Sequence, residues 1–356
     1  MKLSKFLPIL VLLFCWQGLS AQDIHYTLFD YSPLRANPAF TGAFEGSVRI
    51  GGLYRGQWFT VGDFAEFTSP SFYADAPIIK GFRDQDWIGV GLFFVNDQFG
   101  AAKLRTSGGA LSASYHLANK KRTSVLTLGA QYGNMQRRLD PGADLIYEQT
   151  IDEPFGGGGG TGTLEFANGA NSPLGEPSYT DINVGLLYRT QIDKTSNLEI
   201  GVAGLHLNSD NNSLLSGSAG GGGGGGIAGR SERNLTITSH AIYEQQINDD
   251  WSINPKLFWQ TTDGGGNNLL LQAWMGRKMN EDLQLNFGLG YRAGDAANIL
   301  LGAYYKDLRV ALAYDLNVSG ANAITNYQGG FELGAYYIIK IYKQPELPPT
   351  ILCPRL

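Results

Sequence analysis

Apolar residues alternate with polar residues or glycine along most of this chain. Over 283–291 the order Leu-Gln-Leu-Asn-Phe-Gly-Leu-Gly-Tyr puts Leu283, Leu285, Phe287, Leu289 and Tyr291 on one face of a strand. Gln284, Asn286, Gly288 and Gly290 fall on the other. The same period of two predicts about fourteen strands, near 46–58, 64–76, 86–97, 103–116, 122–136, 178–190, 196–207, 231–246, 249–260, 267–279, 282–293, 296–306, 307–318 and 327–341. Ile88, Val90, Leu92 and Phe94 oppose Gly89 and Gly91, and Leu126, Leu128, Ala130 and Tyr132 oppose Thr127, Gly129, Gln131 and Gly133. Two strands break the rule. Pro70 interrupts the second, and the run Val202–His206 loses its phase in the seventh, which predicts a bulge.

The spacing of these strands points to a closed transmembrane barrel. The links after even-numbered strands are short, whereas the two longest links, about 137–177 and 208–230, follow strands 5 and 7. Outer-membrane barrels have short periplasmic turns and long outer loops, so both long links are expected outside and both termini inside the periplasm. Lys256, Arg309, Asp315 and Glu332 lie on the faces assigned to the lumen, since a basic residue at the lipid midplane costs about 2–4 kcal/mol. Fourteen strands leave room for an open lumen, and Phe93, Phe258 and Trp274 on the inward faces could equally fill part of it.

The N-terminus supports export. Lys2 and Lys5 precede an apolar run from Phe6 to Trp16, and Gly18-Leu19-Ser20-Ala21 follows, a secretory signal with cleavage expected after Ala21. No run of about 20 apolar residues offers a spanning helix, which leaves a barrel as the way across a bilayer. Forty-eight glycines, 18 tyrosines and 18 phenylalanines suit strands and aromatic girdles. A formal charge of −5 argues against a nucleic-acid partner. Of the two cysteines only Cys353 survives cleavage, so no intrachain disulfide forms.

Candidate chemistry is sparse. The histidines His25, His116, His206 and His240 have no metal-ligand spacing, and no nucleophile elbow occurs, so neither a cofactor nor a metal is expected. Ser114 and His116 share a strand face at i, i+2, an arrangement that arises easily without function. The runs Gly156–Gly160 and Gly220–Gly226 lack the Lys-Ser/Thr of a phosphate loop and read as flexible surface loops. Cys353-Pro354-Arg355-Leu356 lies beyond a proline-rich spacer and reads as a free tail, a short docking peptide or a thiol for intermolecular pairing.

Tyr31-Ser32-Pro33-Leu34-Arg35-Ala36-Asn37-Pro38-Ala39-Phe40-Thr41-Gly42, followed by Leu53-Tyr54-Arg55-Gly56-Gln57-Trp58, resembles the start of the PorP/SprF family. Further matches are Val95–Gly100, Ala113–Leu117 and Gly204–Asn208. The resemblance implies an outer-membrane component of the type IX secretion and gliding machinery of Bacteroidetes, not an enzyme. It also implies partners among periplasmic and lipoprotein subunits, and secreted cargo with a C-terminal sorting domain. By that resemblance the partner-binding residues are Asn37, Pro38, Tyr54, Arg55, Gln57 and Trp58; the tail, read as a docking peptide, adds Cys353, Pro354 and Arg355 as a weaker set. Asn37-Pro38 fixes a turn, so 31–45 is expected to be ordered. Tyr54 and Trp58 alternate with Arg55 and Gln57, which sets aromatic and polar pairs on opposite faces.

The resulting organisation is a signal peptide (1–21), a periplasmic N-terminal segment (22–45), an all-β antiparallel barrel of about fourteen strands in outer-membrane lipid (46–341) and a periplasmic tail (342–356). The expected function is an anchor and docking platform, with a porin or transport channel for small solutes as the alternative.

Overall fold

The computed structural model describes residues 25–57, 67–80, 82–99, 103–138, 176–208, 234–263, 266–320 and 325–341. The signal segment 1–21, Trp58, both glycine runs and the tail with Cys353, Pro354 and Arg355 lie outside the described residues.

The alternating segments become β1 (Val48–Gln57), β2 (Phe67–Thr68), β3 (Ser71–Lys80), β4 (Trp87–Phe99), β5 (Leu104–Ala118), β6 (Ser124–Arg138), β7 (Ser178–Gln191) and β8 (Ser196–Leu205). They continue as β9 (Thr236–Gln246), β10 (Trp251–Thr262), β11 (Gly266–Lys278), β12 (Leu283–Arg292), β13 (Ala296–Tyr305), β14 (Leu308–Asn317) and β15 (Gln328–Ile339). All are antiparallel to their neighbours, and β15 pairs with β1 from Val48↔Ile339 to Gln57↔Gly330, closing the sheet on itself. Closure removes every sheet edge, which a strand wall in lipid requires.

β2 and β3 together make one stave between β1 and β4, so the barrel has fourteen staves. The break falls at Ser69-Pro70, where proline has no N–H to give the ladder. Ser69 N still donates to Arg55 O and Asn96 N to Pro70 O, which holds the stave in line. The expected bulge near Val202–His206 is absent. β8 keeps an unbroken register with β7 and β9, and the strand simply ends at Leu205, where His206 turns the chain with a φ of 60°.

Side-chain facing follows the alternation. Leu285, Phe287, Leu289, Leu312 and Leu333 are exposed on the outer surface, while Asn286, Asp315 and Glu332 are buried inside. Arg309 lies inward over the Tyr304 ring, and Phe93, Phe258 and Trp274 are buried in the lumen. We expect Leu289→Arg, at a site 68% exposed on the lipid side, to destabilise the inserted barrel by about 2–4 kcal/mol. The inward Gln284→Arg should be close to neutral. Urea unfolding in lipid vesicles measures both, and equal costs would show that the phase is wrong on this strand.

The N-terminal segment corrects the expected layout. Residues 25–46 do not extend into the periplasm; they run inside the barrel, from the level of Arg292 and Glu332 down to the short-turn rim, where Ser47 enters the wall. Tyr26, Leu28, Phe29, Tyr31, Leu34, Ala36, Ala39, Phe40 and Ala43 are all buried there. Such a density of apolar groups is costly in water, and a lumen lined with Leu53, Phe93, Leu187, Phe258 and Trp274 offers the matching surface.

Candidate functional site: a lumenal plug and its seat

Three short turns shape the plug: a 3-10 turn over Phe29–Tyr31, one helical turn over Pro33–Ala36 and a 3-10 turn over Pro38–Phe40. Both prolines stand at a first helical position, where a missing N–H costs nothing. Asn37 between them is extended (φ −162°, ψ 123°), as a residue before proline prefers.

Asn37 fastens the middle of the plug. Its Oδ1 accepts from Ala39 N at 2.8 Å, capping the second 3-10 turn, and its Nδ2 donates to Leu186 O (3.1 Å) and Val202 O (3.3 Å) on the adjacent strands β7 and β8. The fit requires bare backbone opposite. A Cβ on Gly129 would overlap the Pro38–Ala39 backbone, and one on Gly185 would overlap the Asn37 amide. We expect Asn37→Ala to lower stability by about 1–3 kcal/mol, because two wall carbonyls and a turn N–H lose their partner. A thermal melt in detergent micelles reads the loss; an unchanged melt would show that water replaces the amide without cost.

A buried ionic cage grips the upper end. The Glu332 carboxylate, fully shielded from solvent, accepts from the backbone N–H groups of Thr27 and Leu28, each at 2.7 Å, and pairs with Arg55. Arg55 also reaches Asp315 at 3.1 Å, and Arg292 reaches the same carboxylate at 3.0 Å. Thr27 Oγ1 donates to Asp315 at 2.9 Å, and Gln272 Nε2 donates to Thr27 O at 2.8 Å. The two guanidinium groups thus face the buried carboxylates of Asp315 and Glu332, and Arg292 also reaches the half-exposed Asp295 at 2.9 Å, so each buried charge is paired.

Further ties run down the plug. Lys256 Nζ lies 2.6 Å from Asp30 and over the Trp274 ring, and Thr238 Oγ1 donates to Ala36 O. Near the short-turn rim Arg49 makes a two-pronged pair with Asp75 and donates to Phe40 O, while Asp75 accepts from Gly42 N. The cavity left between plug and wall beside Phe29, Arg35, Leu205 and Phe258 is about 10 Å³, at most a water site.

Ser114 and His116 meet, Oγ to Nε2, at 2.8 Å, and both are buried. Ser114 Oγ donates to Thr41 O, and His116 Nε2 lies 2.9 Å from the same carbonyl while Nδ1 lies 2.8 Å from Thr127 Oγ1. A carbonyl only accepts, so Nε2 carries the proton and Nδ1 accepts from Thr127. Both groups are spent on holding the plug.

Of the residues singled out by resemblance, Asn37, Pro38 and Arg55 come together in plug and seat, and Gln57 Oε1 lies 3.3 Å from Arg55 Nη2. Tyr54 turns outward beside Phe331, at 5.6 Å between rings. Two further motifs secure the wall at the long-loop rim. Asp97 accepts from Ser69 Oγ at the broken stave, and Asn208 Oδ1 accepts from Ile182 N as the chain leaves β8. Sequence reasoning missed Thr27, Asp30, Asp75, Gln272 and Arg292. An excess of glycine on inward faces was the signal that something packs against them.

Among the described residues no helix is long and apolar enough to cross a membrane; the strands do so. Tyr54 and Phe331 near one rim, with Tyr188, Tyr305 and Tyr337 near the other, border an apolar outer band. These features define a plugged transmembrane β-barrel. The chain belongs to the PorP/SprF family of type IX secretion system membrane proteins, whose pattern it matches over residues 18–337. A comparison with curated proteins found no match. Among solved structures it is similar to the toluene transporter TbuX of Ralstonia pickettii, at 12% identity, covering 92% of this chain and 97% of that one with a TM-score of 0.50. It is also similar to a FadL homologue of Pseudomonas aeruginosa, at 13% identity, covering 85% and 92% with a TM-score of 0.48. Likeness at such identities concerns the fold alone.

Proposed function

We propose that this protein works in the outer membrane as an anchor and docking platform of the type IX secretion machinery, acting by binding and not by catalysis. The observation that carries this reading is the seated plug. A fourteen-stave barrel is wide enough for a lumen, yet this one is occupied by its own chain and tied at three levels. That disfavours the alternative of a permanently open porin. Periplasmic and lipoprotein subunits would dock at the short-turn rim and on the tail 342–356, with Cys353, Pro354 and Arg355 in reach of them. Secreted cargo with a C-terminal sorting domain would meet the outer links at 137–177 and 208–230.

Affinity purification of the full chain from mildly solubilised envelopes tests the reading. Secretion-system subunits should co-purify, the pure protein should give no steady conductance in planar bilayers, and deleting residues 344–356 should leave the barrel inserted while weakening partner recovery. A steady pore without partners would overturn the platform in favour of the channel.

A further inference from the structure

Beneath the plug the lumen opens into a vestibule of about 810 Å³ at the short-turn rim, within the size range of ligand sites. Its inner end is formed by Ala43, Phe44 and the Trp87 ring, which stacks on His116 at 4.4 Å. Val125 and Ile242 add apolar wall. Arg189 and Glu199 of the inner wall pair with each other, and Arg189 donates to Ala43 O. Glu45 beside Phe44 is exposed.

The rim is different. Lys120, Lys121 and Arg122 are exposed in the β5–β6 turn. Asp249 and Asp250 are exposed in the β9–β10 turn further round the wall, whereas the β11–β12 turn is mixed, with Asp282 paired to Lys306 at 3.7 Å. Arg122 and Glu244 carry the same polarity into the vestibule lining. Lys120–Arg122 thus make one turn of the mouth basic and Asp249–Asp250 make another acidic, a field that orients whatever approaches. A compact solute cannot touch both turns and the apolar wall together; an extended chain can.

We propose that the vestibule seats an extended segment of a periplasmic partner protein, with acidic residues over Lys120–Arg122 and basic residues over the turn at 249–250. The proposal rests on the docking reading above and gives it an address. To test it, a photo-crosslinking amino acid is placed at Val125 or Ile242 in the full chain in cells, with the lipid-facing Leu126 as control. Crosslinked peptides are mapped by mass spectrometry.

The expected result is one contiguous segment of a periplasmic protein, of the stated charge polarity, captured from Val125 and Ile242 and not from Leu126. Reversing Lys120→Glu, Lys121→Glu and Arg122→Glu together should cut the yield at least tenfold, and so should Asp249→Lys with Asp250→Lys. Heat-modifiable gel mobility verifies that each variant is a folded barrel. Crosslinks only to this chain's own tail, or none, while secretion partners still co-purify, would overturn the seat and leave the docking reading standing. Undiminished yield after both reversals would also overturn it. Loss of all partners from the unaltered chain would overturn the docking reading itself.

Discussion

Glu332→Ala should release the upper end of the plug and cost about 3–5 kcal/mol, the range for removing one member of a buried ion pair. The substitution leaves the N–H groups of Thr27 and Leu28 without their acceptor. It also leaves Arg55 with Asp315 as its one remaining carboxylate, which Arg292 shares while keeping Asp295 at 2.9 Å besides. The buried Arg55 guanidinium that loses its nearest partner is the larger of the two penalties. Thiol labelling reports the release: with Thr27→Cys in a Cys353→Ser background, the position should be shielded when Glu332 is present and reactive when it is absent. Urea unfolding in micelles gives the energy. Equal labelling and an equal midpoint in both proteins would mean that the cage does not hold the plug.

Gly129→Val should expel the plug while sparing the wall. Valine suits a strand, and the ladder of β6 with β5 and β7 does not depend on the side chain. What changes is the lumen, because the new Cβ meets the backbone of Pro38 and Ala39, and backbone cannot rotate away as a side chain can. Ordinary overpacking costs about 1–3 kcal/mol when neighbours yield; here the seated plug has nowhere to move. Ala130→Val, one residue along and on the lipid face, is the matched control. Planar-bilayer recordings should show a lasting conductance for Gly129→Val and none for Ala130→Val. A closed Gly129→Val barrel with normal stability would show that the wall bends to accommodate the methyl groups.

The wall was legible because each stave repeats one rule many times. Leu285, Phe287 and Leu289 against Gln284, Asn286 and Gly288 state which side meets lipid, and a phase error would have put Glu332 there. Asp315 and Glu332 were correctly read as lumenal for the same reason. The plug was not legible, since residues 25–46 have no period to follow. Their turns are set by Pro33, Asn37 and Pro38, and their apolar side chains look the same whether they begin a strand or fill a tube. The seat was half visible. Gly129, Gly89 and Gly91 were placed inward, yet an inward glycine reads as an empty lumen until a chain is known to lie against it. His206 misled in the other direction, because a strand that stops in a left-handed turn breaks the alternation just as a bulge would.

Arg55 and Glu332 are also register partners across the seam between β1 and β15, the first and last strands of the wall. The carboxylate that receives the N–H groups of Thr27 and Leu28 therefore arrives from the opposite end of the chain and is in place only once the cylinder shuts. Biogenesis inherits an order from this. While the newly made sheet is still open, Glu332 does not stand opposite Arg55, and the N–H groups of Thr27 and Leu28 lack their acceptor. The last strand pairing supplies it, so closing the wall and completing the grip on the upper end of the plug are one event.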